Sequence, residues 1–399
     1  MLANSILPAI KAYEPELVAI RRDIHAHPET GFEEVRTAAL VARTLRGWGI
    51  EVHEGIAKTG VVGTLKGRRW GQRAIALRAD LDALFIEEKS ELEHRSTVPG
   101  KMHACGHDGH TTMLLGAARY LAENPDFAGT VHFIFQPAEE GGGGGRVMIE
   151  EGLFDRFPTD AVYGMHNQPG RPVGDFGIRP GVMLAASDSW SVTFKGTGGH
   201  GGSKPHMATD PTISLAHFIL AAQNIIGRNI PALEAAVISV GHVSGGAIGS
   251  PNIIPPEVVV TGTARSYSPA VRDILERRLR GIAEALATVQ GCTAEVVYHR
   301  RYPPLINAVE QTAIAAAVAA DIVGADHVET NMAMSTGSED FAFMLEKKPG
   351  AFIRIGNGIN PDGTYNGLHT ALYDFNDAIL ALGATYWVSL VHKELGEEN

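Results

Sequence analysis

Cysteine is nearly absent: two residues, Cys105 and Cys292, in a chain of 399. Two thiols cannot build a disulfide framework, which excludes a stapled scaffold and suits a reducing cytoplasm. Long apolar runs are missing too. No stretch reaches the roughly 18 apolar residues of a membrane-spanning helix, and Met1–Glu16 has no basic segment leading into an apolar one. The chain is therefore expected to be unexported and cytoplasmic. Basic charge is in deficit, with 34 Lys and Arg against 45 Asp and Glu and a formal net charge of −11. That argues against nucleic acid, which needs a basic stripe along the phosphates, and against an anionic lipid surface. Repeats are lacking. The one low-complexity segment, Gly141–Gly145, reads as a close backbone approach or the entry to a helix. Histidine is what the chain has in excess, at 17 residues, and it is both the commonest metal ligand and a general base.

The length fits two or three domains at about 150 residues each, and 44% hydrophobic with 20% charged residues is a globular composition. Apolar spacing predicts helices over Ile6–Ile24, Val35–Trp48 and Thr111–Leu121, and strands over Val61–Leu65, Ala74–Leu77, Val131–Phe135 and Ala161–Met165. Strands alternating with helices predict a mostly parallel sheet covered by helices, an α/β class. Near Ala185 the pattern changes. Strand Ser189–Phe194, helix Thr212–Ile226, strands Ala236–Val243 and Val258–Ala264, helix Val271–Val289 and strand Ala294–Tyr298 follow in a βαββαβ order that could fold alone. Alternation returns with a helix over Gln311–Ile322, a strand over Ala351–Ile355 and a closing helix over Asp374–His392. The expected organisation is an α/β domain, 1–185 and 301–399, interrupted by an inserted α+β domain, 186–300.

The densest chemistry lies in Met102-His-Ala-Cys-Gly-His-Asp-Gly-His110, just ahead of a helix. Cys105 and His107, two positions apart, can present a thiolate and an imidazole to one ion, and both suit zinc-like metals. The plainer reading is a polar helix start, with Asp108 as a cap. Glu139 and Glu140 directly follow the strand Val131–Phe135, where open α/β sheets bind ligands. Neighbouring carboxylates point apart, so one can bind metal while the other serves as general base; taken alone, the pair reads equally as an acidic helix start. His166 follows the strand Ala161–Met165, and His369 lies in a loop before the last helix. A lone histidine is more often structural. The weight comes from the set, because Cys105, His107, Glu139/Glu140 and His166 all follow strands of one sheet. Asp80 and Asp82 share a face after Ala74–Leu77, as ligands or as acceptors that orient one, the role assigned to Asp82.

These residues carry a family resemblance over nearly the whole chain. Its landmarks are His25-Ala-His-Pro-Glu29, Leu77-Arg-Ala-Asp-Leu-Asp82, the Met102–His110 segment, Gln136-Pro-Ala-Glu-Glu140, Gly198-Gly-His-Gly-Gly202, Ser338-Glu-Asp-Phe341 and Gly367-Leu-His369. The chain resembles the dinuclear-metal aminoacylase and carboxypeptidase family, in its hippurate hydrolase and indole-acetyl amino acid hydrolase branch. The resemblance implies a catalytic domain split by a lid that dimerises, giving a homodimer or homotetramer. It implies Cys105, His107, Glu140, His166 and His369 as ligands of two divalent ions and Glu139 as general base. Other branches carry a His-x-Asp motif where this chain has Asp80-Leu81-Asp82, and the resemblance implies that Cys105 stands in for the missing imidazole, with the thiolate and a carboxylate both open as the bridging ligand. It further implies that His200 reaches a partner subunit's active site and polarises the scissile carbonyl. Asn252 and Arg265 would hold the substrate's free carboxylate, with backbone at Gly337 lining the pocket. Zinc suits the donor set, with manganese, cobalt and nickel as alternatives. The implied activity is hydrolysis of N-acyl amino acids. Its rivals are a dipeptidase, a carboxypeptidase or an N-acetyl-diamino-acid deacetylase of the same chemistry and, more distantly, a non-catalytic metal-binding assembly protein.

Overall fold

The structure, a computed structural model, describes residues 6–396. The chain forms two compact units. One holds the described residues through Met183, then Ile306–Ala333 and the described residues from Asp340 on; the other holds Leu184–Leu305 and Met334–Glu339.

The first unit opens with helices α1 (Pro8–Ala26) and α2 (Val35–Gly47). Pro8 takes the first helical position of α1, where its missing N–H is not needed. Glu29 accepts the backbone N–H groups of Arg36 and Thr37, at 2.9 and 2.8 Å, and so satisfies donors at the start of α2. Strands β1 (Glu51–Ile56), β2 (Gly60–Lys66) and β3 (Arg69–Asp80) lead to helix α3 (His107–Glu123). Strand β4 (Ala128–Gln136), helix α4 (Gly144–Glu150), strand β5 (Ala161–Pro169) and the short β6 (Phe176–Gly177) follow.

The second unit runs β7 (Ala186–Lys195), α5 (Pro211–Asn229), β8 (Ala236–Gly245), β9 (Glu257–Ser266), α6 (Pro269–Val289) and β10 (Thr293–Tyr302). Its four strands form one antiparallel sheet in the order β8-β9-β7-β10. Both helices start with proline behind a side-chain cap. Asp210 accepts from Thr212 N, and Ser268 accepts from Val271 N. Trp190, Phe194, Phe218 and Leu279 sit in this unit's own hydrophobic core.

The chain returns to the first unit with α7 (Val309–Val323), β11 (Val328–Glu329), β12 (Gly350–Gly358) and the last helix α8 (Leu380–Leu395). The main sheet has the order β1-β2-β4-β3-β5-β12-β6-β11. Its central strands β4, β3, β5 and β12 are mutually parallel, while β1 and β2 pair antiparallel at one side. Ala74–Asp80 and Val131–Gln136 are buried without alternation, as expected for strands covered on both faces. Helices α3 and α8 pack closely because glycine permits it: a Cβ on Gly383 would lie 2.0 Å from Sδ of Met113. Several elements depart from the sequence expectation. Strand β1 carries no apolar run to announce it. The last helix starts at Leu380 rather than Asp374, because Asn376 caps a preceding 3-10 turn, Asp377–Ile379. No helix among the described residues is long and apolar enough to cross a membrane.

Candidate metal centre

Parallel strands deliver their carboxyl ends to one edge, and the donors gather there. Asp80 ends β3, and Asp82 follows two residues on; both are buried. Beyond β4, Pro137-Ala138 leads into the turn that holds Glu139 and Glu140. Ala138 has φ 52°, a left-handed conformation that alanine keeps only where its surroundings impose it. Glu34 imposes it here, accepting the Ala138 N–H at 2.8 Å and the Thr59 hydroxyl at 2.6 Å. The glycines after this turn mark a close approach: a Cβ on Gly144 would lie 1.7 Å from the Pro137 carbonyl oxygen.

Helix α3 starts at His107, four residues before its expected start. Gly106, at φ 96°, turns the chain into it. A Cβ there would meet Oδ1 of Asn167 at 2.5 Å and the Tyr373 hydroxyl at 2.6 Å, so only glycine fits. His166 lies inside β5, which continues to Pro169, and pairs with Arg354 of β12. The expected strand end at Met165 was therefore short. His369 has φ 61° and is fixed by its N–H, which donates to Ala104 O at 2.7 Å.

Ligand atoms of Cys105, His107 and His166 lie within 4.8 Å of one another. The same holds for Cys105, Glu140 and His369, and for His107, Glu139 and Glu140. These overlapping groups bring together all six residues singled out for metal binding and base catalysis, and Cys105 belongs to two of them. Asp80, His107 and His110 form a further group, in which His110 Nδ1 lies 2.7 Å from Asp80. The sequence motif alone assigns His110 no role; its spacing from His107 on one helix face is the signal that points to it.

The outer partners set which ring nitrogen is free. His107 Nδ1 donates to Oδ1 of Asp82 at 3.2 Å, leaving Nε2 buried without a hydrogen-bond partner. His166 Nδ1 donates to the carbonyl of Asn167 at 2.7 Å, which turns Nε2 toward Cys105 Sγ at 3.4 Å. Oδ2 of Asp82 accepts the Glu140 N–H at 2.9 Å. Glu139 accepts the N–H of Asp340 on Oε1 at 3.3 Å. The Asp340 carboxylate is held in turn by Arg78, by the Gln136 amide and by Gly145 N–H.

Burial works against a charged His107 ring, but Asp80 and the Cys105 sulfur outweigh it and raise its pKa well above the ordinary value. His369 is raised to about 10 by hydrogen bonds to Cys105 and Glu140, whose Oε1 lies 3.1 Å away. Burial pushes the Cys105 thiol up, and Glu140 adds to the rise. A cation would relieve these strains together, deprotonating the thiol and replacing the imidazole protons. An orphaned imidazole nitrogen, a buried thiol and a carboxylate form a donor set that fits such an ion. His369 is half exposed and Glu140 slightly so, which leaves the cluster open on one side.

His200, Asn252, Arg265 and Gly337 belong to the second unit. His200 is exposed, and its Nδ1 accepts the N–H groups of Gly202 and Ser203, each at 3.2 Å. That leaves Nε2 as the ring nitrogen able to donate. Gly199–His200 pairs with Ile253–Ile254, and Gly201 N–H donates to Asn252 O at 2.8 Å, so His200 and Asn252 are neighbours. Arg265, half-buried on β9, donates to the Thr263 hydroxyl and the Ala264 carbonyl rather than to a carboxylate. Gly337 N–H donates to Ser335 Oγ at 3.2 Å.

Comparison with known proteins converges on one family. The profile of Peptidase family M20/M25/M40 matches residues 76–393. A hippurate hydrolase of Campylobacter jejuni is 39% identical over 391 residues, covering 98% of this chain and 100% of the relative. An N-acetyl-L-cysteine deacetylase of Bacillus subtilis is also 39% identical, covering 98% of this chain and 90% of that protein. The crystal structure of a dinuclear metal binding peptidase of the M20 family from Bacillus subtilis superposes with a TM-score of 0.82 at 34% identity, covering 96% of this chain and 98% of that one.

Proposed function

The chain belongs to Peptidase family M20/M25/M40, and from that premise we propose that it hydrolyses the amide bond of N-acyl amino acids. The observation that carries this reading is a second buried carboxylate, Glu139, directly beside Glu140 and close to His107 in a cluster of thiolate, imidazole and carboxylate donors. Held by the Asp340 N–H, it is placed to exchange a proton beside the ions as well as to face them.

Cys105, His107, Glu140, His166 and His369 would hold two divalent ions, zinc first among the candidates, with Asp82 orienting His107. Bound there, the ions supply a lowered water pKa and a polarised substrate carbonyl. Glu139, steadied by the Asp340 N–H, takes the proton of the attacking water on a carboxylate oxygen. As the carbon–oxygen bond forms and the carbon–nitrogen bond breaks, Glu139 returns that proton to the leaving amine. The products are a carboxylate and a free amino acid. The Nε2–H of His200 is the group suited to donate to the oxyanion, supplied by the lid of a partner subunit. Arg265 and Asn252 hold the substrate's free carboxylate, for which a guanidinium fork is well shaped, and the backbone at Gly337 lines the pocket.

The test is a substrate panel of benzoyl-, acetyl-, indole-acetyl- and aminoacyl-amino acids, run with and without chelator. Chelator-sensitive release of amino acid from the acyl substrates supports the reading. Turnover confined to aminoacyl substrates would assign a dipeptidase instead, and none with any substrate would leave a binding protein.

A further inference from the structure

Helix α1 buries an arginine and a histidine, Arg21 and His25, on the face it otherwise fills with Ile10, Leu17 and Ile24. A fully buried arginine needs matching charge, and Arg21 finds it on two segments. Its Nε lies 2.9 Å from Oδ2 of Asp108, the residue after His107. Its Nη2 pairs with Asp374, and its Nη1 lies 3.4 Å from Asp377, both on the stretch that leads from His369 into α8. His94 sits between them, 2.9 Å from Arg21 Nη1 and 3.2 Å from Asp374 Oδ1. His25 shares Asp108 at 2.8 Å. Tyr373, next to Asp374, accepts a hydrogen bond from the Asn167 amide, and Asn167 follows His166. Asp108 thus follows His107 and Asn167 follows His166, while Tyr373, bonded to Asn167, precedes Asp374, the partly exposed partner of Arg21 a few residues after His369.

We propose that Arg21 is a positioning residue of the metal centre, bridging Asp108 and Asp374 so that His107 and His369 are held at one separation. The inference rests on the ligand assignment above and adds a residue that touches no ligand directly. Its physical basis is that ligand geometry is fixed by outer partners, whose loss loosens the metal. His369 keeps a left-handed backbone, held by its N–H on Ala104 O and its ring on Glu140, and the chain beyond it is tied at Ala371 O by the Lys89 N–H and at Asp374 by Arg21. Arginine is required because its planar fork reaches two carboxylates at once, whereas a lysine is a point charge that meets one well.

The experiment follows release of zinc from metal-loaded protein into an excess of a chromogenic chelator, alongside the thermal midpoint of each variant. Arg21→Met and Asp374→Asn are expected to release zinc roughly 10-fold faster or more, with Arg21→Lys between them and wild type. Val41→Ala, a truncation of a buried side chain in α2, a helix that supplies no member of the network, serves as the stability control and is expected to release zinc at the wild-type rate despite a lowered midpoint. A folded Arg21→Met that keeps its zinc as long as wild type overturns the proposal. Should that variant not fold, unchanged release from Asp374→Asn or Arg21→Lys overturns it equally. Faster release from Val41→Ala, matching the network variants at equal midpoint, would also overturn it by reducing the effect to general destabilisation. Wild-type protein that binds no zinc, cobalt or manganese would instead contradict the ligand assignment beneath it.

Discussion

The carboxylate of Asp82 serves two residues of the cluster at once: Oδ1 accepts from His107 Nδ1 at 3.2 Å, and Oδ2 accepts the backbone N–H of Glu140 at 2.9 Å. One side chain therefore sets the tautomer of an imidazole and the position of a neighbouring carboxylate. Asp82→Ala is expected to weaken metal affinity by roughly 10- to 100-fold, read by chelator competition. Asp82→Asn keeps an oxygen for one of the two donors and should fall between. Equal affinity in all three proteins would remove Asp82 from the design.

His25 offers a pH test read on folding stability rather than on metal binding. Burial opposes its charge, but hydrogen bonds to Asp108 and Glu88 prevail and raise it to about 9. A histidine raised above its unfolded value of about 6.5 stabilises the fold fully below that pH and loses the contribution as pH climbs through about 9. The amount is on the order of 3 kcal/mol for such a shift. Wild-type protein should therefore lose stability toward His25→Gln between pH 6.5 and 9, measured by denaturant unfolding. A difference between the two that stays flat across that window would contradict the assigned charge.

Arg265 separates binding from chemistry. Its guanidinium is met by a hydroxyl and a carbonyl, both weaker partners than a carboxylate. Arg265→Ala should raise KM for a substrate with a free carboxylate about 10-fold or more, consistent with the 1.5–3 kcal/mol of a charged hydrogen bond. The same substitution should leave turnover of the corresponding amide or methyl ester nearly unaltered. An equal effect on both substrates would place Arg265 elsewhere than on the carboxylate.

Much of the cluster was legible in the residues because parallel strands end at one edge, and donors that follow several strands must meet there. The strand-end reading holds for Glu139 and Glu140, which follow β4, whereas His166 lies inside β5, and Cys105 and His107 reach the cluster after a long connection from Asp80 at the end of β3. It misjudged details that depend on single backbone angles. Gly106 starts α3 early, and β5 runs past His166, because neither a left-handed glycine nor an extended polar tail to a strand has an apolar period. Strand β1, Glu51–Ile56, was missed for the same reason, being largely exposed. Arg21 could not be found from sequence. Its partners Asp108 and Asp374 lie far along the chain, and a charged residue on the apolar face of a helix reads as noise until its counter-charges are placed. The roles of His200, Asn252 and Arg265 had no spacing to announce them and came from resemblance alone.

The most direct test of the account concerns Glu139. Glu139→Gln keeps the shape and an acceptor for the Asp340 N–H but cannot take a proton from water. Metal content and hippurate turnover should be measured on the same preparation. The account predicts wild-type metal content with turnover lowered by a factor of about 10²–10⁴, the range for a lost general base. Near-normal turnover at full metal content would contradict it.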